Sequence, residues 1–419
     1  MPHNAFYAQS GGVTAVINAS AAGVIAECRA HSDAIGTLYA GRDGILGALT
    51  EELIDTHALT DPQLDALRYT PAGAFGSCRY KLKSLEQHRA QYERLIDVFR
   101  AHDIRYFFYN GGGDSQDTAH KVSQLSEAMG FPITCVGVPK TMDNDLPLTD
   151  CCPGFGSVAK YAAVSMLEAS LDVASMQRTS TKVFVMEVMG RHAGWVAAAT
   201  GLARDERGLG PDIILFPEVP LDEERFLAKV NETVTQRGFC MIAVSEGAKN
   251  AAGEFLSSTG NTDAFGHAQL GGAAPVVVDM IKRHSGYKCH WAVCDYLQRS
   301  ARHIASQTDV DQAFALGRAA VRYAVHGDNA VMPIIVRDAD EPYQWHIDKA
   351  PLREVANVER CLPADYITDD GFHITGQARR YLAPLIEGEA YPPYRQGLPA
   401  YEVLDKAIVA KRCPDFTEL

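Results

Sequence analysis

No run of apolar residues in this 419-residue chain approaches the roughly 18 uninterrupted positions that a membrane span needs, so no membrane partner is expected. The first residues, Met-Pro-His-Asn-Ala-Phe-Tyr-Ala-Gln-Ser, lack a basic stretch followed by an apolar one; no secretory signal is expected, and a cytoplasmic location is. Positive charge is in short supply. Thirty-nine Lys and Arg against 52 Asp and Glu leave a net charge of −13, which argues against nucleic acid or an acidic lipid surface as the main partner. Small phosphorylated molecules stay in play, because local backbone amides and a few cations hold them whatever the net charge. Ten cysteines are scattered at 28, 78, 135, 151, 152, 240, 289, 294, 361 and 413, with no Cys-x-x-Cys pair and no His/Cys cluster at zinc spacing. Reduced, mostly buried thiols are the expectation, Cys151 and Cys152 being the one adjacent pair. Internal repeats, low-complexity tracts and long charge blocks are also missing, which sets aside solenoid and disordered architectures.

What is present is an alternation of short apolar runs and amphipathic stretches. The hydrophobic share, 47%, supports two substantial cores, and at roughly 150 residues per domain the length suits two or three domains. Residues 4–8 read as a buried strand, followed by a Gly-Gly turn and an Ala/Val-rich helix to about 28. Strands at 35–40, 105–109 and 133–137 then alternate with helices at 88–101 and 115–129. Beyond Pro153 the order resumes with helix 157–175, strand 183–188, a helix from 193, strand 212–216, helix 221–236 and strand 239–245. Helices at 274–284 and 310–326 and a strand at 330–336 follow, and the last fifty residues, Tyr/Pro-rich over 389–401, read as an irregular wrapping extension. Strand-then-helix repetition predicts an α/β fold of parallel sheets with helices on both faces and reactive loops beyond the carboxyl ends of the strands.

Three glycine-rich turns each follow an apolar strand. The first, Ser10-Gly11-Gly12 with Asn18 in the helix behind it, lets backbone amides approach an anion near a helix start; such a turn serves as plain punctuation about as often. The second, Tyr109-Asn110-Gly111-Gly112-Gly113-Asp114-Ser115, carries three consecutive glycines at a strand mouth, more than a plain turn requires. The third, Val138-Pro139-Lys140-Thr141-Met142-Asp143-Asn144-Asp145, sets two carboxylates two residues apart beside a lysine. Phosphoryl transfer to an alcohol needs a carboxylate to accept the hydroxyl proton, another to help hold magnesium, and cations near the transferring oxygens. Either aspartate alone suits an Asx turn; the whole set does not.

Gly-Gly-x-x-Ser together with Pro-Lys-Thr-x-Asp-Asn-Asp resembles the phosphofructokinase family. The resemblance runs on in the family's order through Met189-Gly190-Arg191, Ser245-Glu246-Gly247, Gly266-His267-Ala268-Gln269-Leu270-Gly271-Gly272 and Tyr296-Leu297-Gln298-Arg299, covering about residues 4–336. It implies two doubly wound, Rossmann-like parallel-sheet domains with the active site in the cleft between them. A pyrophosphate-binding α/β domain would take residues 1–147 plus about 268–329, a sugar-phosphate-binding α/β domain 148–267 plus about 330–370, and a C-terminal extension 371–419.

Carried onto this sequence, the family pattern makes Asp143 the base for the sugar hydroxyl, sets Asp145 near a Mg2+ ion and puts Thr141 on the acceptor or the moving phosphate. Gly11, Gly12, Gly112, Gly113 and Ser115 would cradle pyrophosphate, with Arg79 reaching the same phosphates. Met142, Lys182, Met189, Gly190 and Arg191 would lie along the sugar, Glu246 would accept a sugar hydroxyl, and Tyr296 and Arg299 would take the 6-phosphate. Lys182 stands where many relatives have arginine, which gives up the bidentate fork and keeps the charge. His267 falls in a related sugar-phosphate motif, and Leu270 replaces a basic residue of ATP-type relatives.

The donor turns on two positions. ATP-using relatives carry glycine where this chain has Asp114 and Lys140. A carboxylate set where the α-phosphate of ATP would lie costs on the order of several kcal/mol in a partly dry site, whereas Lys140 neutralises charge on the transferring phosphoryl or leaving phosphate. Many relatives place a metal-binding aspartate at the position of Gly113, so here the metal would rest on Asp114, Asp145, water and pyrophosphate itself. The implied reaction is reversible: phosphoryl transfer from pyrophosphate to the 1-hydroxyl of fructose 6-phosphate, giving fructose 1,6-bisphosphate and phosphate, in a homodimer or homotetramer. Three other readings compete. They are an ATP-dependent enzyme of the same family, a non-catalytic sugar-phosphate-sensing subunit, which the intact Asp143 loop disfavours, and a dinucleotide-binding oxidoreductase, for which the Gly-x-Gly-x-x-Gly spacing is missing.

Overall fold

The apolar runs of the sequence become strands, and among the described residues these sort into two main sheets, apart from a small antiparallel hairpin of Tyr394–Arg395 with Leu398–Pro399. The structure is a computed structural model that describes residues 2–80, 82, 86–257 and 272–417. In chain order the strands are β1 (His3–Gln9), β2 (Ile35–Gly41), β3 (Leu53–Asp55), β4 (Ile104–Gly111) and β5 (Thr134–Pro139). Then come β6 (Val183–Val188), β7 (Ile213–Leu215), β8 (Cys240–Ser245), β9 (Cys289–Val293), β10 (Val331–Asp340) and β11 (Tyr343–Pro351). The first sheet runs β11-β10-β5-β4-β1-β2-β3 and the second β7-β8-β6-β9. All pairings in the second sheet are parallel. The first is parallel from β2 to β10 but closes at each edge with an antiparallel strand, β3 on β2 and β11 on β10. The expected α/β class therefore holds, with a mixed first sheet.

Helices cover both faces of the sheets. The helix Ile17–Ala30 links β1 to β2 and meets Gln307–Val325 at unusually short range. A Cβ on Gly23 would lie 2.2 Å from the Phe314 carbonyl oxygen, and one on Gly317 would lie 2.2 Å from that of Ser20. Only glycine lets these backbones touch. The buried Glu27 then receives Arg318 at 2.5 Å and Arg322 at 2.7 Å, so the carboxylate enters the contact with its charge answered.

The sheets cross the expected domain bounds at two places. The expectation gives residues 268–329 to the first unit, whereas β9 pairs with β6 and the helix Ala273–Ser285 packs on the second sheet; the helix Gln307–Val325 returns to the first. Residues 330–370 are expected in the second unit, whereas β10 lies beside β5 and carries β11 with it. Sequence order cannot reveal such crossings, because pairing partners are chosen by burial across the whole molecule. The C-terminal extension is not irregular throughout. The helix Gly376–Leu382, capped by the Thr375 hydroxyl, sends Tyr381 and Leu382 into the same core as Phe155 and Trp195. Past residue 390 the chain does wrap as a strap, with Ile408 bridging Ile54 and the Val409 amide bonded to the Leu53 carbonyl, which covers the short edge strand β3.

Candidate active site

Strand order reverses between β1 and β4: from β1 the chain moves to β2 on one side, while β4 and β5 build outward on the other. Loops leaving the carboxyl ends of β1 and β4 must diverge there and open a crevice. The three glycine-rich turns meet in it. Across the gap stand the loops that follow β6 and β8, and between them lies a cavity of about 680 Å³.

The β1 loop is anchored from the side. The Gly11 amide bonds the Cys78 carbonyl at 2.9 Å and the Ser77 hydroxyl bonds the Gly11 carbonyl at 2.8 Å, which brings Arg79 over the turn. Gly11 has φ +70°, a left-handed conformation that favours glycine. At Gly12 a Cβ would come within 2.6 Å of Arg299 Nη1 and 3.4 Å of Arg79 Nη2, so the two guanidinium groups fill the space a side chain would take. Lys140 Nζ completes the set with a 2.7 Å bond to the Gly12 carbonyl. Among the described residues none of these three cations forms a salt bridge. Burial pushes the Lys140 ammonium down to about 8, with Arg299 and Arg79 pushing the same way against Asp143 and Asp145. Burial also lowers Arg299. Such a cluster favours a multiply charged anion.

At the β4 loop, Gly112 is the N-cap of the helix Gly113–Ala128, whose first turn carries Asp114 and the buried Ser115. Among the described residues a Cβ on Gly112 would meet only the Lys140 carbonyl at 3.8 Å, and one on Gly113 only the Asn357 amide at 3.9 Å, so they leave this backbone uncrowded. Of the first two glycine turns, this is the one that brings a helix start to the cavity. The helix behind the first turn begins only at Ile17, past Val16, and does not reach Gly12. Asn18, fully buried, ties Gln9, the Ala74 amide and the Thr70 carbonyl together and belongs to the scaffold.

The β5 loop presents the acids. Asn144 has φ +54°, so the chain reverses between Asp143 and Asp145 and both carboxylates line the cavity. Burial pushes Asp143 up to about 7, helped by the negative charges of Asp145 and Glu246 and opposed by Lys140 and Arg191. Asp145 is raised mainly by burial against a hydrogen bond from Thr141, and Glu246 by burial against the Gly190 amide. A carboxyl held near neutrality beside a cation cluster is suited to take a proton.

Residues 4–324 match the family model described as Phosphofructokinase. The chain belongs to the phosphofructokinase family. It is 64% identical over 414 residues to a protein of Halomonas elongata named pyrophosphate--fructose 6-phosphate 1-phosphotransferase, covering 99% of each chain. A Methylococcus capsulatus protein of the same name is 64% identical over 409 residues, covering 98% of this chain and 97% of that one. The crystal structure of a pyrophosphate-dependent phosphofructokinase from Nitrosospira multiformis superposes with a TM-score of 0.92 at 61% identity, covering 99% of this chain and 100% of that one.

Most of the phosphofructokinase motif residues meet at the cavity: Met142 and Thr141 beside the acids, Met189 and Arg191 after β6, and Glu246 after β8. Gly190 lies just behind. Its φ of +140° suits glycine, its carbonyl accepts the Ser245 hydroxyl at 2.5 Å, and its amide faces Glu246 at 3.4 Å. Lys182 is not at the cavity of this chain. It precedes β6, at the opposite end of that strand from Met189, and its ammonium bonds the Gln177 carbonyl at 2.5 Å. Arg299, expected on the sugar's 6-phosphate, lies against Gly12, stacked 3.7 Å from the centre of the exposed Tyr296 ring at the cavity mouth. His267 and Leu270 lie outside the described residues.

The cavity also contains residues that motif matching missed. Asp295 and His192 adjoin motif residues, which was a usable signal. Glu359 had none: it arrives from the loop after β11 and meets His192 Nδ1 at 3.0 Å. For a divalent cation the donors are sparse. Asp114 and Asp145 share the cavity, and among the described residues no three acids, histidines or cysteines form a metal cluster. Two carboxylates with open space between the loops fit Mg2+, which keeps several waters and shares substrate phosphates.

Proposed function

We propose that this phosphofructokinase moves a phosphoryl group reversibly between pyrophosphate and the 1-hydroxyl of fructose 6-phosphate, forming fructose 1,6-bisphosphate and phosphate. The observation that carries the reading is the convergence of Arg79, Lys140 and Arg299 on the Gly11–Gly12 turn, with the Asp114 carboxylate beside the second glycine loop. Cations and open amides suit two linked phosphates. A carboxylate at the next step along repels a third, at a cost on the order of several kcal/mol, where about 1.4 kcal/mol is already tenfold. The names of the relatives support the same donor and acceptor.

In this reading the amides of Gly12, Gly112 and Gly113 and the Ser115 hydroxyl cradle pyrophosphate under Arg79, while Gly11, its amide held by the Cys78 carbonyl, shapes the turn. Asp143 accepts the proton of the sugar 1-hydroxyl as that oxygen attacks, and Thr141 and Met142 hold the acceptor beside it. Lys140 stabilises charge on the departing phosphate. Arg299 reaches the phosphates from its place at Gly12, and Tyr296, Met189, Arg191 and Glu246 position the sugar phosphate. Lys182 has no role in the cavity of its own chain. Asp114 and Asp145 would hold Mg2+, which when bound neutralises phosphate charge. The ten thiols, all unbridged, suit a reducing compartment, and we place the protein in the cytoplasm. We read it as a homodimer or homotetramer because β9 is an exposed sheet edge whose Trp291 and Val293, with the nearby Leu297, are large exposed apolar side chains.

A donor comparison tests the reaction. With fructose 6-phosphate and Mg2+, pyrophosphate should support turnover with kcat/KM at least about 100-fold above ATP, the size of the electrostatic gate. Equal or better use of ATP overturns the reading, as does failure to make pyrophosphate from fructose 1,6-bisphosphate and phosphate.

A further inference from the structure

The turn that separates Asp143 from Asp145 is held by a part of the chain beyond the matched family region, which ends at residue 324. Arg360, in the loop after β11, is almost fully committed to it. Its Nε and Nη2 donate to the Asn144 carbonyl at 3.2 and 3.0 Å, and its Nη1 donates to the carbonyls of Thr149 at 2.6 Å and Asp150 at 2.9 Å. Its backbone amide bonds the Asp145 carbonyl at 2.7 Å. Among the described residues no carboxylate forms a salt bridge with this partly buried guanidinium, so its fork is answered by backbone carbonyls of one loop.

The same residue reaches the other wall. Its guanidinium lies 4.8 Å from the centre of the Trp195 ring, and its carbonyl accepts the Trp195 indole N–H at 3.1 Å. Trp195 opens the helix Trp195–Thr200, four residues after Arg191. Two further contacts restrain the turn. The fully buried Asn144 accepts the Cys152 amide at 2.9 Å and donates to the Tyr381 hydroxyl at 3.2 Å, and that hydroxyl in turn bonds the Asp150 carbonyl. Asparagine tolerates the left-handed region that this turn requires, and these contacts hold it there.

We propose that Arg360 is a positioning residue that sets the Asp143–Asp145 turn in register with the Met189–Arg191 loop, with Tyr381 as its second support. This rests on the reading of Asp143 as the base. Arg360 does not line the cavity, so it acts through the turn and not on substrate.

The test uses the full chain with pyrophosphate, fructose 6-phosphate and Mg2+. Arg360→Ala should lower kcat about 100-fold while both KM values move less than about threefold, the pattern of a displaced base in a site that still binds. Guanidinium ion at millimolar concentration should restore at least about tenfold of the loss in Arg360→Ala and nothing in the unaltered enzyme, since it refills the fork. In an Asp143→Asn background, Arg360→Ala should cost less than about threefold more, because residues acting as one unit are not additive. The proposal fails if guanidinium does not rescue, or if the loss multiplies in full in that background. Should Asp143→Asn itself turn over normally, the base assignment falls, and guanidinium rescue reports separately on Arg360. If Arg360→Ala does not accumulate folded, Tyr381→Phe decides: it should lower kcat about fivefold at constant KM, and an unchanged kcat overturns the proposal.

Discussion

The two walls of the cavity carry opposite charge and respond oppositely to the same burial. On the β1 side Arg79, Lys140 and Arg299 crowd one glycine turn, and loss of water pushes Lys140 down to about 8. On the side of the β5 and β8 loops, Asp143, Asp145 and Glu246 share the space, and loss of water pushes Asp143 up to about 7. Each wall is thus incomplete by itself. The cations await an anion and the acids await a proton, which are the two things that phosphoryl transfer to a hydroxyl delivers.

Removing the acid should break this contrast hardest. Asp143→Asn is expected to lower kcat by about 10²–10⁴-fold, the usual worth of a general base, with circular dichroism and the melting temperature near those of the unaltered chain; turnover within a few fold of normal would remove Asp143 from its role. Exchanging the donor wall comes next. Asp114→Gly combined with Lys140→Gly should cut kcat/KM for pyrophosphate by about 100-fold and raise the relative use of ATP, and an unchanged donor ratio would refute the gate. The pH profile sharpens the comparison further. Asp143 must be ionised to accept a proton, so kcat/KM should rise as pH climbs through about 7. Lys140 must be charged, so kcat/KM should fall as pH passes about 8, and Lys140→Arg should move that alkaline limb upward. The limbs belong to the interacting cluster and not to single residues; a flat profile from pH 6 to 9 would deny both assignments. The smallest effect concerns the metal. Gly113 has room for a side chain at the first position of its helix, so Gly113→Asp should fold normally and lower the Mg2+ concentration for half-maximal rate by about two- to fivefold. Titration of activity with Mg2+ would reveal it.

Most of the residues that can be found from sequence share a trait: each lies in a short loop directly after a strand or in the first helical turn beyond it, where local spacing and three-dimensional neighbourhood coincide. Gly11, Gly12, Asp114, Lys140, Asp143, Arg191 and Glu246 all reach the cavity this way. Lys182 stands apart from these residues, because a strand of six residues carries its two ends roughly 20 Å apart and nine positions before Arg191 lies at the far edge of the sheet within this chain. Arg299 shows a milder effect: helical spacing sets it beside Tyr296, and the reach of a long side chain brings its head against Gly12. Glu359 and Arg360 carried no sequence signal at all, since their partners stand more than a hundred residues earlier in the chain. β9 and β11 went unread for a related reason. The first is five residues with most side chains exposed, and the second is an edge strand of alternating burial, so neither has the continuous apolar run that marks a central parallel strand.

By itself the sequence determined the chemistry and the architecture class, because glycine turns, an Asp-Asn-Asp loop and strand–helix periodicity are local properties that any correct fold must respect. The tertiary structure alone decided which strands share a sheet, that Asp143 and Lys140 are held near neutral pKa values by burial, and that a C-terminal arginine grips the turn between the two acids. Those outcomes depend on desolvation and on contacts between distant segments, and both come into being only when the chain closes on itself.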